Sequence, residues 1–342
     1  MASFKQLQAD DFVISSDSIS ATLWSTANPT LTAFYTSSTQ AASAAGNYYL
    51  SVYQVDPDTD STYATQFDIA YGNAQGSGSR KYDTAVDGKS YTRSIYGQYR
   101  NQVLGDENAS FTFGGVTQSD FYVINFERAR YKEKLFLGSF NLFLSGSAAN
   151  RTLELTDNSN DTTVVEYGDA GRIYQLVSGS NGSAHSGTGY HADSGSYGLL
   201  LPDIGVAILN AAALDTAPAN NGGGISLGTG RGSNQDNNNN AKLFEAIERG
   251  ESFKVNSEET ISSDYIFVRA RNSEFNYSEN PSFISGSTGE VLYQSFINSP
   301  QTYVTTIGLY NDTNDLVAVA KLSRPLEKDF TKETLVRVKL DF

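Results

Sequence analysis

Cysteine is absent from this 342-residue chain. Disulfides and thiolate chemistry are therefore excluded, and the usual ligands of a structural zinc site are missing. Histidine is nearly absent as well, with His185 and His191 the two in the chain. Basic residues are scarce: 24 Lys plus Arg face 38 Asp plus Glu, for a formal net charge of −14. That balance argues against nucleic acid as the main partner, because phosphate contacts need Lys and Arg. It also disfavours anionic membranes. No apolar run approaches the roughly 18 residues of a membrane span. The start, Met1-Ala2-Ser3-Phe4-Lys5-Gln6-Leu7, lacks the apolar core of a signal peptide, so synthesis in the cytoplasm is expected.

The chain is instead rich in Gly (30), Tyr (21) and Phe (19), while only 18% of it is charged. Aromatic residues with Ser, Thr and Gly suit short strands joined by turns. The length is a prior of about two domains and is ample for a core. Low charge with Ala-, Ser- and Asn-rich loops also suits surfaces that become covered in an assembly.

Alternation marks the strands. Tyr48 to Val55 places Tyr48, Leu50 and Val52 on one face, and Asp56-Pro57-Asp58 ends it. Tyr63 to Ala70, Phe121 to Phe126, Gly138 to Leu144 and Ile173 to Val177 are further strands. Leu153 to Tyr167 reads as a hairpin, and Leu199 to Leu209 as strand, turn and strand. Ser90 to Leu104 is ambiguous, but Tyr91, Ile95, Tyr99 and Val103 recur at fourfold spacing, which favours a helix. Gly72 to Ser79, Ser178 to Ser196 and Ala217 to Asn240 read as loops. A short helix is expected over 241–249, with Asn240 as cap and Gly250 as stop. Toward the end, Asp264 to Arg271, Thr302 to Tyr310, Leu316 to Leu322 and Val336 to Phe342 are strands, with Pro325 as a breaker. The expected fold is mainly β: antiparallel, sandwich-like sheets with long polar loops and that short helix. The expected regions are an N-terminal β region (1–145), a loop-rich middle (146–254) and a C-terminal β region (255–342) able to pack with the first as one framework.

Motifs that carry chemistry are weak. His185 and His191 lie in a Gly/Ser loop with Asp193 nearby, and solvated loop residues are the simpler reading. Asp56, Asp58 and Asp60 alternate, as do Asp157, Ser159 and Asp161. Both resemble half of a calcium loop but lack its glycine and its final glutamate, so turn chemistry is preferred. Gly228-Thr229-Gly230-Arg231-Gly232 has no Gly-Lys-Ser/Thr ending and reads as a flexible loop. No serine sits in a nucleophile elbow. No enzyme, cofactor, metal site or small-molecule substrate is expected. The segment from Arg269 to Pro281 stands apart. It is either an ordinary strand followed by a turn or a docking element that completes a neighbour's surface. Its candidate assembly residues are Arg271, Glu274, Phe275, Asn276, Tyr277 and Asn280.

Several segments taken together resemble a known family. They are Tyr122-Val123-Ile124-Asn125-Phe126-Glu127-Arg128 with Tyr131 to Leu135 and Gly138-Ser139-Phe140; Tyr197 to Val206; Glu274 to Pro281; and Ile307-Gly308-Leu309-Tyr310 with Leu316 to Pro325. The set is similar to virion structural proteins of contractile-tailed phages (myoviruses), especially those of marine cyanobacteria. It covers about residues 120 to 342, and the N-terminal third adds little. The resemblance implies a tail or baseplate part without catalysis, found in the virion. Its partners would be other tail or baseplate proteins, including copies of itself, with no nucleic acid and no membrane. A receptor- or glycan-binding fibre-associated module is the alternative, ahead of a neck or collar protein or a wall-degrading enzyme.

Overall fold

A computed structural model describes residues 4–42, 48–76, 90–147, 152–218, 222–229, 234, 238–278 and 280–341. β1 (Phe12–Thr22) and β2 (Thr30–Leu31) precede α1 (Ser38–Ala42), β3 (Leu50–Tyr53) and β4 (Thr65–Asn73). Next come α2 (Tyr91–Leu104), β5 (Thr112–Phe113), β6 (Val116–Thr117), β7 (Asp120–Phe126), β8 (Lys134–Leu135), β9 (Asn141–Ser145) and β10 (Thr152–Asp157). β11 (Glu166–Gly168), β12 (Gly171–Ser180), β13 (Ser183–Ala184), β14 (Gly198–Leu201) and β15 (Val206–Asn210) follow, then α3 (Ala211–Asp215) and α4 (Asn238–Gly250). The chain ends with β16 (Phe253–Lys254), β17 (Asn256–Ala270), α5 (Gln294–Asn298), β18 (Thr302–Tyr310), β19 (Leu316–Lys328) and β20 (Thr334–Asp341). The protein is mainly β, as expected.

Two compact units divide these elements: a larger one, Ile19–Glu259, and a smaller one formed by Met1–Ser18 with Thr260–Phe342. The larger unit is built on one sheet in the order β2-β16-β9-β10-β12-β14-β15-β7-β4-β3. Neighbours along this path run antiparallel. The sheet curls on itself. Tyr35, just past β2 at one end of the path, exchanges two backbone hydrogen bonds with Tyr53 of β3 at the other, at 3.0 and 2.8 Å. Residues 146–254, read from composition as a loop-rich middle, supply β10 to β15, α3, α4 and β16 to this unit.

Around β7, β14 and β15 both faces of the sheet are covered, which explains their near-continuous apolar runs. Tyr122, Ile124 and Phe126 of β7 face the enclosed core, with Ala207 and Leu209 of β15 and Leu200 of β14. Their neighbours Phe121, Val123, Leu199, Leu201, Val206 and Ile208 face a second core beneath α2. Inside the curl, Phe253 packs its ring 5.4 Å from Phe67, 5.7 Å from Phe126 and 5.2 Å from Trp24. β16 lies far from β4 and β7 along the sheet, so these rings meet across the interior. α4 packs against both β9 and β4 and adds Leu243, Ala246 and Ile247 to the same core.

Local signals account for the helices. Ser90 accepts the Thr92 N–H at 3.3 Å as the N-cap of α2, and Gly105, with φ at 64°, closes it by donating to Asn101 O. The ambiguous segment is thus a helix, although its buried stripe is Thr92, Tyr96 and Val103, with Tyr96 stacked on Phe121 at 5.1 Å. The helix expected over 241–249 begins earlier, at Asn238, so Asn240 lies within its first turn. The side chain of Asn234 accepts the Asn239 N–H at 3.0 Å. Gly250 is the last helical residue, and the left-handed position falls on Glu251, with φ at 56°. Glycine is required at 250 for a different reason: a Cβ there would lie 2.0 Å from the Phe143 carbonyl of β9. Among the described residues, α1, α2, α3 and α5 accompany this helix.

The smaller unit holds β20, most of β1 and β17 in the path β1-β17-β20, and a separate ribbon, β18-β19, while β8 pairs with Ser257 and Glu258 of β17 in the larger unit. β17 and β20 pair without a shift from Ser263↔Asp341 to Ala270↔Thr334. Pro325 does not end β19. Its ladder with β18 is instead shifted there, from Val304↔Leu326 to Thr306↔Lys321. That shift separates Tyr303, which is exposed, from Ile307 and Leu309, with which simple alternation had grouped it. Phe342, expected to continue the last strand, lies outside the described residues.

Candidate assembly surface

The smaller unit is nearly without a core. Its buried hydrophobic residues, among those described, are Ile266 and Val338, each 6% exposed. Both apolar clusters of the chain belong to the larger unit. Conversely, fifteen of the twenty-three exposed large hydrophobic side chains lie in the smaller unit, although it holds under a third of the residues. They include Phe12, Val13 and Ile14 on β1, Tyr303 and Tyr310 on β18, and Val317 and Val319 on β19. Units of such size normally bury most of their apolar surface.

The sequence-selected segment lies in this unit: Arg269 and Ala270 end β17, and the candidate residues from Arg271 onward follow it outside any strand. Arg271 is exposed. Glu274 accepts the Arg271 N–H at 2.9 Å and the Lys5 ammonium at 2.9 Å. These two contacts, the backbone one first, hold its carboxyl below the usual glutamate range. Phe275 takes a left-handed φ of 55°, and its carbonyl accepts the Thr302 hydroxyl at 2.6 Å. Asn276 is buried and belongs to the internal bonding of the turn. Tyr277 is exposed and meets Phe296 edge-on at 6.2 Å; Phe296 in turn meets Phe283 at 4.5 Å. Asn280 is exposed and caps the Ser282 N–H at 3.1 Å. Glu279 lies outside the described residues. The segment therefore divides into inward fixtures, Glu274 and Asn276, and outward groups, Arg271, Tyr277 and Asn280.

Lys328 is the residue that pattern reading missed. It is fully buried, and its ammonium donates to Asn276 Oδ1 at 2.7 Å, Asp329 O at 2.9 Å and Asn272 O at 3.0 Å. Asn276 also donates to Asn272 O at 2.6 Å. Three acceptors match the three donors of an ammonium. The turn is thereby fastened to the end of β19. Nothing in a lone lysine after Glu327 signals this, because its partners are remote in sequence.

The other polar constellations are structural where they can be seen. Asp58 Oδ2 accepts the Ser38 N–H at 3.2 Å at the start of α1, and Asp60 accepts the Thr62 N–H at 2.8 Å. Asp157 accepts Gly138 N and Ser159 N, and Asp161 accepts Ala184 N at 2.6 Å. Burial pushes the Asp157 carboxyl upward. His191 Nδ1 accepts the Asp193 and Ser194 N–H groups, while His185 Nε2 is 3.3 Å from Glu154. The Gly/Ser segment around them is pinned rather than loose, since Asn210 donates to Ser194 O at 2.7 Å and Ser196 O at 2.8 Å. Among the described residues no group of three or more His, Asp or Glu is placed to hold a metal. Thr229 donates its N–H to Asp215 at 2.8 Å, whereas Gly230, Arg231 and Gly232 lie outside the described residues. Tyr71 donates to Asp120 Oδ2 at 2.8 Å, and burial raises the Asp120 carboxyl above its ordinary value.

Against protein-family models, curated proteins and solved structures, the chain matches none.

Proposed function

We propose that the chain is a non-enzymatic structural subunit of a phage virion, within a contractile-tail baseplate or an adjacent tail component, acting by protein–protein assembly. The observation that carries this reading is the smaller unit, which presents long strands and many apolar side chains yet, among the described residues, buries only two hydrophobic ones. Partner chains complete its core on assembly and stabilise it by mass action. Obligate interfaces of this kind bury more than about 2,000 Å² in total. The sequence resemblance supplies the phage context. The partners are other tail or baseplate proteins and copies of the chain itself, and its place is the virion.

Mass spectrometry of purified particles, with a particle map to locate the chain, tests the proposal. A stoichiometric tail component is the expected result. Absence from particles, or lysis of cell wall by the purified chain in zymography, overturns it. A second reading, a glycan-binding fibre-associated module, is favoured by the exposed rings of Tyr277 and Tyr293. Glycan-array binding that is lost in Tyr277→Ala would select it instead.

A further inference from the structure

We propose that β1 is a self-pairing edge, through which two copies of this chain join their β1-β17-β20 sheets into one continuous sheet about a two-fold axis. The proposal deepens the assembly reading above by naming one partner, and it rests on that reading for its purpose.

An exposed edge strand carries unpaired N–H and C=O groups, and natural edges are guarded by charge, proline or bulges. β20, at the far edge of the sheet, is guarded: Arg337, Lys339 and Asp341 alternate along its exposed positions. β19 carries Lys321, Arg324 and Pro325. β18 has no charge, but its ladder is shifted at two places, which twists an edge away from further pairing. β1 carries no proline and a single charge. It runs eleven residues, Phe-Val-Ile-Ser-Ser-Asp-Ser-Ile-Ser-Ala-Thr, with Asp17 as its one charge and nine of its eleven positions exposed.

Its sequence also suits a two-fold. Antiparallel pairing of β1 with itself centred on Ser16 sets Val13 opposite Ile19, an apolar pair, and Ser15 opposite Asp17, a donor facing a carboxylate. Centring on Asp17 would place two carboxylates face to face. Isologous contact of this kind closes at two subunits. β1 itself brings the apolar side chains of Phe12, Val13 and Ile14, all exposed, to the joint.

The test uses the full chain and light scattering after size exclusion at micromolar concentration. The expected mass is twice the 37.0 kDa of one chain. Ser16→Lys, which sets two ammonium groups together at the axis, is expected to give monomers, and Thr305→Lys on β18 is expected to remain dimeric. Because the chain has no cysteine, Ser16→Cys provides a second readout that does not depend on disruption. Cα atoms directly opposite in an antiparallel pair are about 4.5–5.5 Å apart, within disulfide range, so mild oxidation should link the dimer through that residue alone. A monomeric wild type, a trimer or larger ring, a dimer that survives Ser16→Lys, or a dimer that Ser16→Cys fails to cross-link each overturns the pairing. A monomer that is still recovered in purified particles overturns the pairing and leaves the assembly reading standing. A cross-linked dimer absent from particles does the reverse.

Discussion

Replacing Lys328 with Met tests whether the turn after β17 is held in place by one buried ammonium. Methionine keeps most of the stem volume but removes three bonds, to Asn276 Oδ1, Asp329 O and Asn272 O, which span 2.7 to 3.0 Å. A hydrogen bond to a charged group contributes about 1.5–3 kcal/mol, and a buried acceptor left without a donor costs about 1–3 kcal/mol. The losses do not simply add, because the substitution also removes the cost of burying the ammonium itself. A net loss of about 3 kcal/mol follows, which is roughly a hundredfold in the equilibrium for local opening. Amide exchange reads this directly. The Glu274 N–H is bonded to Arg271 O at 3.0 Å and should exchange roughly a hundredfold faster in Lys328→Met. Trypsin should also cut sooner after exposed Arg271. Amides of β7 and β15, in the larger unit, should be unaffected. Unchanged exchange at Glu274, or equal acceleration throughout β7, would refute the idea that Lys328 fastens this turn.

Three other outcomes are expected. Phe253→Ala empties the centre of the aromatic cluster in the curled sheet and should destabilise the larger unit by about 3–5 kcal/mol in denaturant titration; a loss below about 1 kcal/mol would mean the rings do not meet across the interior. Asp120→Asn keeps an acceptor for the Tyr71 hydroxyl but carries no charge. Burial raises the Asp120 carboxyl in the folded state, so the folded form holds the proton more tightly, and its contribution to stability grows as pH falls from neutral through that raised value. The variant should therefore be more stable at neutral pH and lose that part of the pH dependence, and an unchanged slope in paired pH titrations counts against this. Tyr277→Ala removes an exposed ring and should leave melting unchanged while blocking incorporation into particles, which an incorporation assay with normal yield would disprove.

Much of the larger unit was legible in the sequence. Phe121 to Phe126 and Leu199 to Leu209 were readable as strands because unbroken apolar runs mark sheets covered on both faces. Closure of the sheet was not, since it depends on pairings such as Tyr35 with Tyr53 and on Phe253 reaching Phe67, which no local pattern contains. The middle region looked loop-rich because its strands are separated by Gly-, Ser- and Asn-rich segments. Composition averaged over 146–254 concealed how far these strands are integrated: β10, β12, β14 and β15 all belong to the large sheet. The candidate segment was found by its unusual composition. Its internal anchor was not, because Lys328 and Asn276 are 52 positions apart.

The smaller unit shows where reading by alternation stops. Val336, Val338 and Leu340 alternate with Arg337, Lys339 and Asp341, and by register they share a face with Ile266 and Val268 of β17. That pattern states that one face of a strand is to be covered. It does not state by which chain. In a self-sufficient domain the cover comes from the same sequence, as α4 covers β9. Among the described residues of the smaller unit Ile266 and Val338 are the buried hydrophobic ones, while Phe12, Val13 and Ile14 stay in water. Selection maintains an apolar face only where something excludes water from it, because exposed strands of this kind aggregate. A partner chain that covers this face, as the proposed assembly would supply, accounts for an apolar pattern that its own chain leaves uncovered.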